Sequence, residues 1–237
     1  MLRTFTLILT ALMVVFALPV APAQTTATQW QSLFNGENLD GWIRRGGTAD
    51  YRVEEGAIVG TTAPNTPNTF LCTERDYGDF ILELECRVDP ALNSGIQIRS
   101  LSDPNYQRGR VHGYQIESDP SDRAWSGGIY DESRRGWLVN LEDNEAGRRA
   151  FRRDDWNHYR IVAVGDTIKV WVNGIPTAHL IDTMTPTGFI ALQVHATDSR
   201  EPLEVRWRNI RILPLDMPGL AATRTSSGNG AALPPTG

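Results

Sequence analysis

Tyr159-Arg160-Ile161-Val162-Ala163-Val164, Gly165-Asp166, Thr167-Ile168-Lys169-Val170-Trp171-Val172, Asn173-Gly174 and Ile175-Pro176-Thr177-Ala178-His179-Leu180-Ile181 follow one another without a break. Three apolar-rich runs are separated by two turns of two residues each. In the first two runs a large or apolar side chain recurs at every second position, which is the period of a half-buried strand and not of a helix. Asn173-Gly174 is the strongest short hairpin signal, because both residues accept a positive φ. The segment therefore predicts a three-stranded antiparallel meander.

The same period extends outward. In Phe80-Ile81-Leu82-Glu83-Leu84-Glu85-Cys86-Arg87-Val88, Phe80, Leu82, Leu84, Cys86 and Val88 share one face and mostly charged residues share the other. Further strands are predicted at 51–53, 57–59, 68–73, 95–99, 113–117, 127–130, 187–194 and 203–213. Only 142–149 hints at a helical turn. Many short strands punctuated by turn residues indicate a sandwich or barrel, and no repeat or internal linker divides the 237 residues. The expectation is one all-β domain over 24–215.

The two ends read differently. Arg3, an apolar run over 5–18 interrupted by Thr6 and Thr10, and the small residues Ala21-Pro22-Ala23 form a secretory signal over 1–23. The run is shorter than the ~20 residues of a membrane span, so the expectation is an exported protein, periplasmic or extracellular, with no transmembrane segment. Residues 216–237 carry few apolar side chains and read as a disordered tail. A net charge of -5 removes the electrostatic case for nucleic acid. Cys72 and Cys86 are the only cysteines. Export permits a disulfide between them, whereas the alternation around Cys86 suits a buried free thiol. A tight hairpin at Tyr77-Gly78 would set Cys72 opposite Glu83.

Leu33-Phe34-Asn35-Gly36-Glu37-Asn38-Leu39-Asp40-Gly41-Trp42 is echoed by Asp155-Trp156-Asn157, by Trp171-Val172-Asn173-Gly174 and by Gly188-Phe189-Ile190-Ala191-Leu192-Gln193-Val194-His195. In this order the stretches resemble the 3-keto-disaccharide hydrolase domain family, from about Leu33 to about Leu215. The resemblance implies a concanavalin-like jelly-roll β-sandwich of two antiparallel sheets. It also implies action on glycosides oxidised to a ketone at C3, downstream of a sugar 3-oxidoreductase.

Candidate chemistry gathers on a few strands. Gln115 and Glu117 share a face with Gly113, opposite Tyr114 and Ile116. That arrangement fits the concave wall of a jelly roll, or else a solvated sheet surface. The family's corresponding strand more often reads Glu then Gln, the reverse of the order here. Gln97 and Arg99 share a face opposite Ile96 and Ile98, so Arg99 could face a developing oxyanion or pair with Glu83 or Glu85. His195 ends a strand that also carries Gln193, as a proton-transfer group or a structural histidine; His112 is the next candidate. Tyr130, Trp125 and Trp137 could stack on sugar rings or pack in the core, with Arg134 among them.

Asp131, Glu132 and Glu142 could hold a calcium ion, although their spacing is not of the EF-hand type. Glu117-Ser118-Asp119 invites comparison with retaining glycosidases, but Pro120 interrupts the carboxylate ladder they require. The reading assigns His195 or Glu117 as base, Arg99 and Gln115 as donors to the oxyanion and hydroxyls, and Tyr130 or His112 as acid. Gln97, Gln193, Trp125 and Arg134 are expected to bind substrate. Gln115, Glu117, Arg99 and His195 should line one pocket while Tyr114, Ile116, Ile96 and Ile98 pack inward. A non-catalytic carbohydrate-binding module and a retaining glycoside hydrolase are the competing readings.

Overall fold

The computed structural model describes residues 29–215. The expected signal segment and tail lie outside the described residues. Fifteen strands follow in chain order, with α1 (Glu145–Arg148) between the tenth and eleventh. They are β1 (Gln31–Ser32), β2 (Trp42–Gly46), β3 (Asp50–Glu54), β4 (Ala57–Thr61), β5 (Thr69–Tyr77), β6 (Phe80–Val88), β7 (Ser94–Leu101) and β8 (His112–Ser118). Then come β9 (Ile129–Glu132), β10 (Gly136–Val139), β11 (Asn157–Val164), β12 (Thr167–Val172), β13 (Ile175–Ile181), β14 (Gly188–Val194) and β15 (Glu204–Pro214).

They build two antiparallel sheets. One runs β13-β12-β11-β6-β15-β4-β3, with β1 added to β15; the other runs β10-β9-β8-β7-β14-β5-β2. This is the concanavalin-like jelly roll. The opening meander is present as β11, β12 and β13, with Ile161 opposite Val170 and Lys169 opposite His179.

Period-two alternation decides which side chains fill the sandwich. Phe80, Leu82, Leu84, Tyr159, Ile161 and Trp207 from one sheet meet Ile96, Ile98, Tyr114, Ile116, Ile129 and Leu192 from the other, all fully buried. Each such apolar side chain contributes roughly 1.5–3 kcal/mol on burial.

Two local expectations need correction. Tyr77-Gly78 is not a hairpin: β5 and β6 belong to different sheets, so the chain arches across the sandwich. Cys72 therefore faces outward from one sheet, among Phe70, Val111, Phe189 and Ala191, while Cys86 faces the central core of the other. Both are buried free thiols, and burial pushes each up to about 12. Among the described residues no helix is long and apolar enough to cross a membrane.

Candidate functional site

The outer face of the seven-stranded sheet carries a polar pocket of about 500 Å³. Gln115 and Glu117 of β8 form its floor. Tyr130, Glu132 and Trp137 rise on one side, and Pro67, Asn68, His195 and Ala196 on the other. Asn68 precedes β5 and Glu132 ends β9, four strands away in the sheet order, yet Asn68 Nδ2 donates to Glu132 Oε1 at 3.5 Å. Strand-to-strand twist of ~20–25° explains this, because it lifts two diagonal corners of a sheet over one face.

The floor is a chain of polarised amides. Ser100 Oγ donates to Gln97 Oε1 at 2.7 Å, Gln97 Nε2 to Gln115 Oε1 at 2.7 Å, and Gln115 Nε2 to Glu117 Oε2 at 3.0 Å. Both amides are thereby held in one orientation, each accepting at oxygen and donating at nitrogen. Gly95 makes this possible: a Cβ there would lie 2.5 Å from Cγ and Cδ of Gln115, which lies flat over it.

Glu117 also accepts from Asn93 Nδ2 at 2.6 Å and from Arg123 at 3.2 Å. Burial pushes its carboxyl above the ordinary carboxylate range, against the downward pull of Asn93, Gln115 and Arg123. Arg123 also binds Asp119 at 2.7 Å and stacks over both Trp125 and Trp137. A cation is thus fixed at the rim between an aromatic pair and two carboxylates. On the opposite wall His195 Nδ1 lies 2.6 Å from the carbonyl oxygen of Ala196. A carbonyl can only accept, so Nδ1 carries a proton and Nε2 is the ring nitrogen left to exchange one.

The expected site residues separate into groups. His195, Glu117, Gln115 and Tyr130 share the pocket. Gln97 is fully buried one step behind Gln115. Gln193 is also fully buried, two residues before His195 on the same face, and neither its Oε1 nor its Nε2 has a partner among the described residues.

Arg99 does not face the pocket. A bulge between Ile98 and Leu101, with Arg99 at φ 45°, turns its side chain away. It donates instead to the Gly78 carbonyl at 2.8 Å, the Gly165 carbonyl at 2.8 Å and Asp79 at 2.9 Å, tying the β5–β6 arch to the β11–β12 turn. Arg134 is likewise elsewhere: it binds Asp131 and Thr185 and lies over the Tyr114 ring. Trp125 packs edge-on behind Trp137 at 4.9 Å, and His112 is covered by Tyr106 at 4.0 Å.

Asp131, Glu132 and Glu142 do not converge as ligands. Asp131 is paired with Arg134 and Arg135, Glu132 points into the pocket, and Glu142 is exposed. Among the described residues no cluster of three His, Cys, Asp or Glu groups is arranged for a metal.

Sequence reasoning did not single out Asn93, Asn68, Arg110, Arg123 and Glu132 for this pocket. All but Glu132 sit outside strands, where period two says nothing about facing. The alternation of Tyr130 and Glu132 on β9 was the available signal for Glu132.

Residues 29–213 match the 3-keto-alpha-glucoside-1,2-lyase-like domain. The chain belongs to this family. A comparison with curated proteins gave no match. Among solved structures, one from Parabacteroides distasonis provisionally named a glycosyl hydrolase is 17% identical, with a TM-score of 0.59 over 83% of this chain and 99% of its own. A Bacillus subtilis protein of unknown function with a galectin-like fold is 10% identical, with a TM-score of 0.56 over 78% and 98%. The Bacillus subtilis carbohydrate-binding module CBM66 is 13% identical, with a TM-score of 0.50 over 72% and 93%. At these identities the likeness is one of fold. Family membership gives a carbohydrate-active, glycosyl-hydrolase-like role.

Proposed function

We propose that this is an exported enzyme that cleaves 3-keto-glycosides by removing the C2 proton and releasing the C1 substituent. The observation that carries the reading is that His195, its Nδ1 engaged by the Ala196 carbonyl, lines one pocket with the cation Arg123 and the amide of Gln115. A ketone at C3 acidifies the C2 hydrogen. His195 takes that proton, and the C–H electron pair forms an enolate that Arg123 and Gln115 stabilise by charge and hydrogen bonding. Collapse of the enolate restores the C3 ketone, forms C1=C2 and expels the C1 oxygen with its electron pair. Tyr130 protonates that oxygen. Water adding across C1=C2 completes a net hydrolysis. Glu117 holds Asn93, Gln115 and Arg123 in position. The ketone itself would come from a sugar 3-oxidoreductase acting earlier.

Ordinary retaining hydrolysis is poorly supported. Glu117 and Glu132 are the two carboxyls lining the pocket, but Glu132 pairs with Gly113, four residues along β8 from Glu117. Both carboxyls are already bound by protein donors, Glu117 by Asn93, Gln115 and Arg123 and Glu132 by Asn68 and Ser133, and burial of Glu117 disfavours the ionised form that a nucleophile needs. A purely sugar-binding role is favoured by one observation, the aromatic wall of Tyr130 and Trp137 in a fold shared with a carbohydrate-binding module.

Incubation with a 3-keto-disaccharide beside its unoxidised parent separates the readings. Release of the leaving group from the keto compound alone is expected. Equal turnover of both would favour the glycosidase, and binding without turnover the sugar-binding module.

A further inference from the structure

Behind Ala196 the pocket has a neighbour. A second compartment of about 510 Å³ is lined by Pro64, Asn65 and Thr66 of the β4–β5 loop and by Ala196, Thr197, Asp198, Ser199 and Arg200 of the β14–β15 loop. The two compartments share Ala196, and their walls continue from Thr66 to Pro67 and from His195 to Thr197. The partition is anchored: Ala196 N donates to Asn68 Oδ1 at 2.9 Å, and the Ala196 carbonyl accepts from His195. The assigned base therefore stands at the junction.

The two chambers differ in chemistry. The first offers the faces of Tyr130 and Trp137, whereas the second has no aromatic or large aliphatic side chain in its lining. Thr66 and Thr197 hydroxyls are occupied by backbone N–H groups, and Ser199 Oγ donates to the Glu201 carbonyl. Asp198 and Arg200 are exposed, and neither side chain forms an ion pair or hydrogen bond among the described residues. They present a charged acceptor and a planar donor fork at one opening, the pair of functions that grips adjacent hydroxyl groups.

We infer that the second compartment seats the leaving group, and that Asp198 and Arg200 select a polyhydroxylated one, such as a second sugar, over an aromatic one. The inference rests on the proposed function, because it takes the sugar being deprotonated to lie in the first compartment beside His195. From there the C1 substituent crosses Ala196. A sugar has hydroxyls to satisfy both charged groups, while an aryl group has none and finds no ring to stack on.

The test compares two 3-keto-glycosides of one glycone, with a hexose or a 4-nitrophenyl leaving group, on wild-type protein, Asp198→Ala, Arg200→Ala and the double variant. Losing hydrogen bonds to charged groups should lower kcat/KM for the hexose compound about 10-fold or more, with the aryl compound changed less than about 2-fold. Both positions are exposed loop residues, so thermal unfolding should be unaltered. Equal losses on both substrates, or no loss on either, would overturn the assignment while leaving the chemistry at His195 standing. If the wild type cleaves neither compound, the proposed function falls and the inference with it.

Discussion

The two outer faces of the sandwich are both polar, and they use their carboxylates in opposite ways. On the eight-stranded sheet Arg52 and Arg206 each bind both Glu54 and Glu204, at 2.6–3.0 Å, in a closed ring across β3 and β15. Arg52 and Arg206 hold Glu54 below the ordinary carboxylate range; the bond to Arg52 is the main cause for Glu204. On the seven-stranded sheet burial pushes Glu117 the other way. On the first face the carboxylates of Glu54, Glu83, Glu85 and Glu204 are each answered by arginine at the surface. The second sets a buried carboxyl and an imidazole around an open volume, and on the same sheet buries the amide of Gln193 without a hydrogen-bond partner among the described residues. Alternating apolar and charged residues specify both faces, so the difference lies in depth and in loop-borne partners.

The sharpest way to break this contrast is His195→Ala. Loss of a proton-transfer group costs ~10²–10⁴ in rate, and kcat on a 3-keto-disaccharide should fall by that much with circular dichroism and thermal midpoint unchanged. Full activity would remove His195 from the mechanism. Gly95→Ala comes next. Its Cβ would collide with Gln115 and displace the floor, and small misplacements cost up to ~10²-fold, visible in kcat/KM without global unfolding.

Gln193→Met probes the unmet capacity directly. A buried amide without partners costs roughly 1–3 kcal/mol, so the variant should be more stable by an amount in that range in denaturant unfolding. A destabilised variant would mean the amide is satisfied in solution. Stability against pH distinguishes the two faces by sign. Glu117, raised when folded, contributes stability that is complete below the unfolded carboxylate value and is lost as pH rises through its folded value. Glu54 and Glu204, lowered when folded, contribute stability present above the unfolded value and lost as pH falls through their folded values. Glu117→Gln should remove the first slope and leave the second. The smallest effect belongs to Arg52→Ala, because exposed ion pairs contribute ~0–1 kcal/mol: a marginal shift in midpoint and unchanged turnover.

The strands were legible wherever one face is buried. Phe80–Val88, Thr167–Val172 and Ile175–Ile181 have the bounds the alternation predicts. The segments missed are β1, β2 and β10, short strands at sheet margins with a single partner each, where little burial enforces a pattern. On β8 the period puts Gln115 and Glu117 outward and Tyr114 and Ile116 inward, as observed. On β7 the same logic fails at Arg99 because a bulge shifts the register by a residue, and nothing local in the sequence announces it. Arg134 was drawn into an inner network with Asp131 by the β9–β10 turn. Arg123, Asn93 and Asn68 reach the pocket from loops, so their placement depends on long-range closure that a period cannot convey.

The central claim is proton removal from C2, and a label at that carbon tests it most directly. A 3-keto-disaccharide carrying deuterium at C2 should be incubated in ordinary water with wild-type protein and with His195→Ala, alongside a protein-free control for spontaneous exchange. The account predicts that every molecule of released keto-sugar or its 1,2-unsaturated form has lost the deuterium, while His195→Ala leaves the label in uncleaved substrate at the control level. Release of keto-sugar that keeps its C2 deuterium would contradict it.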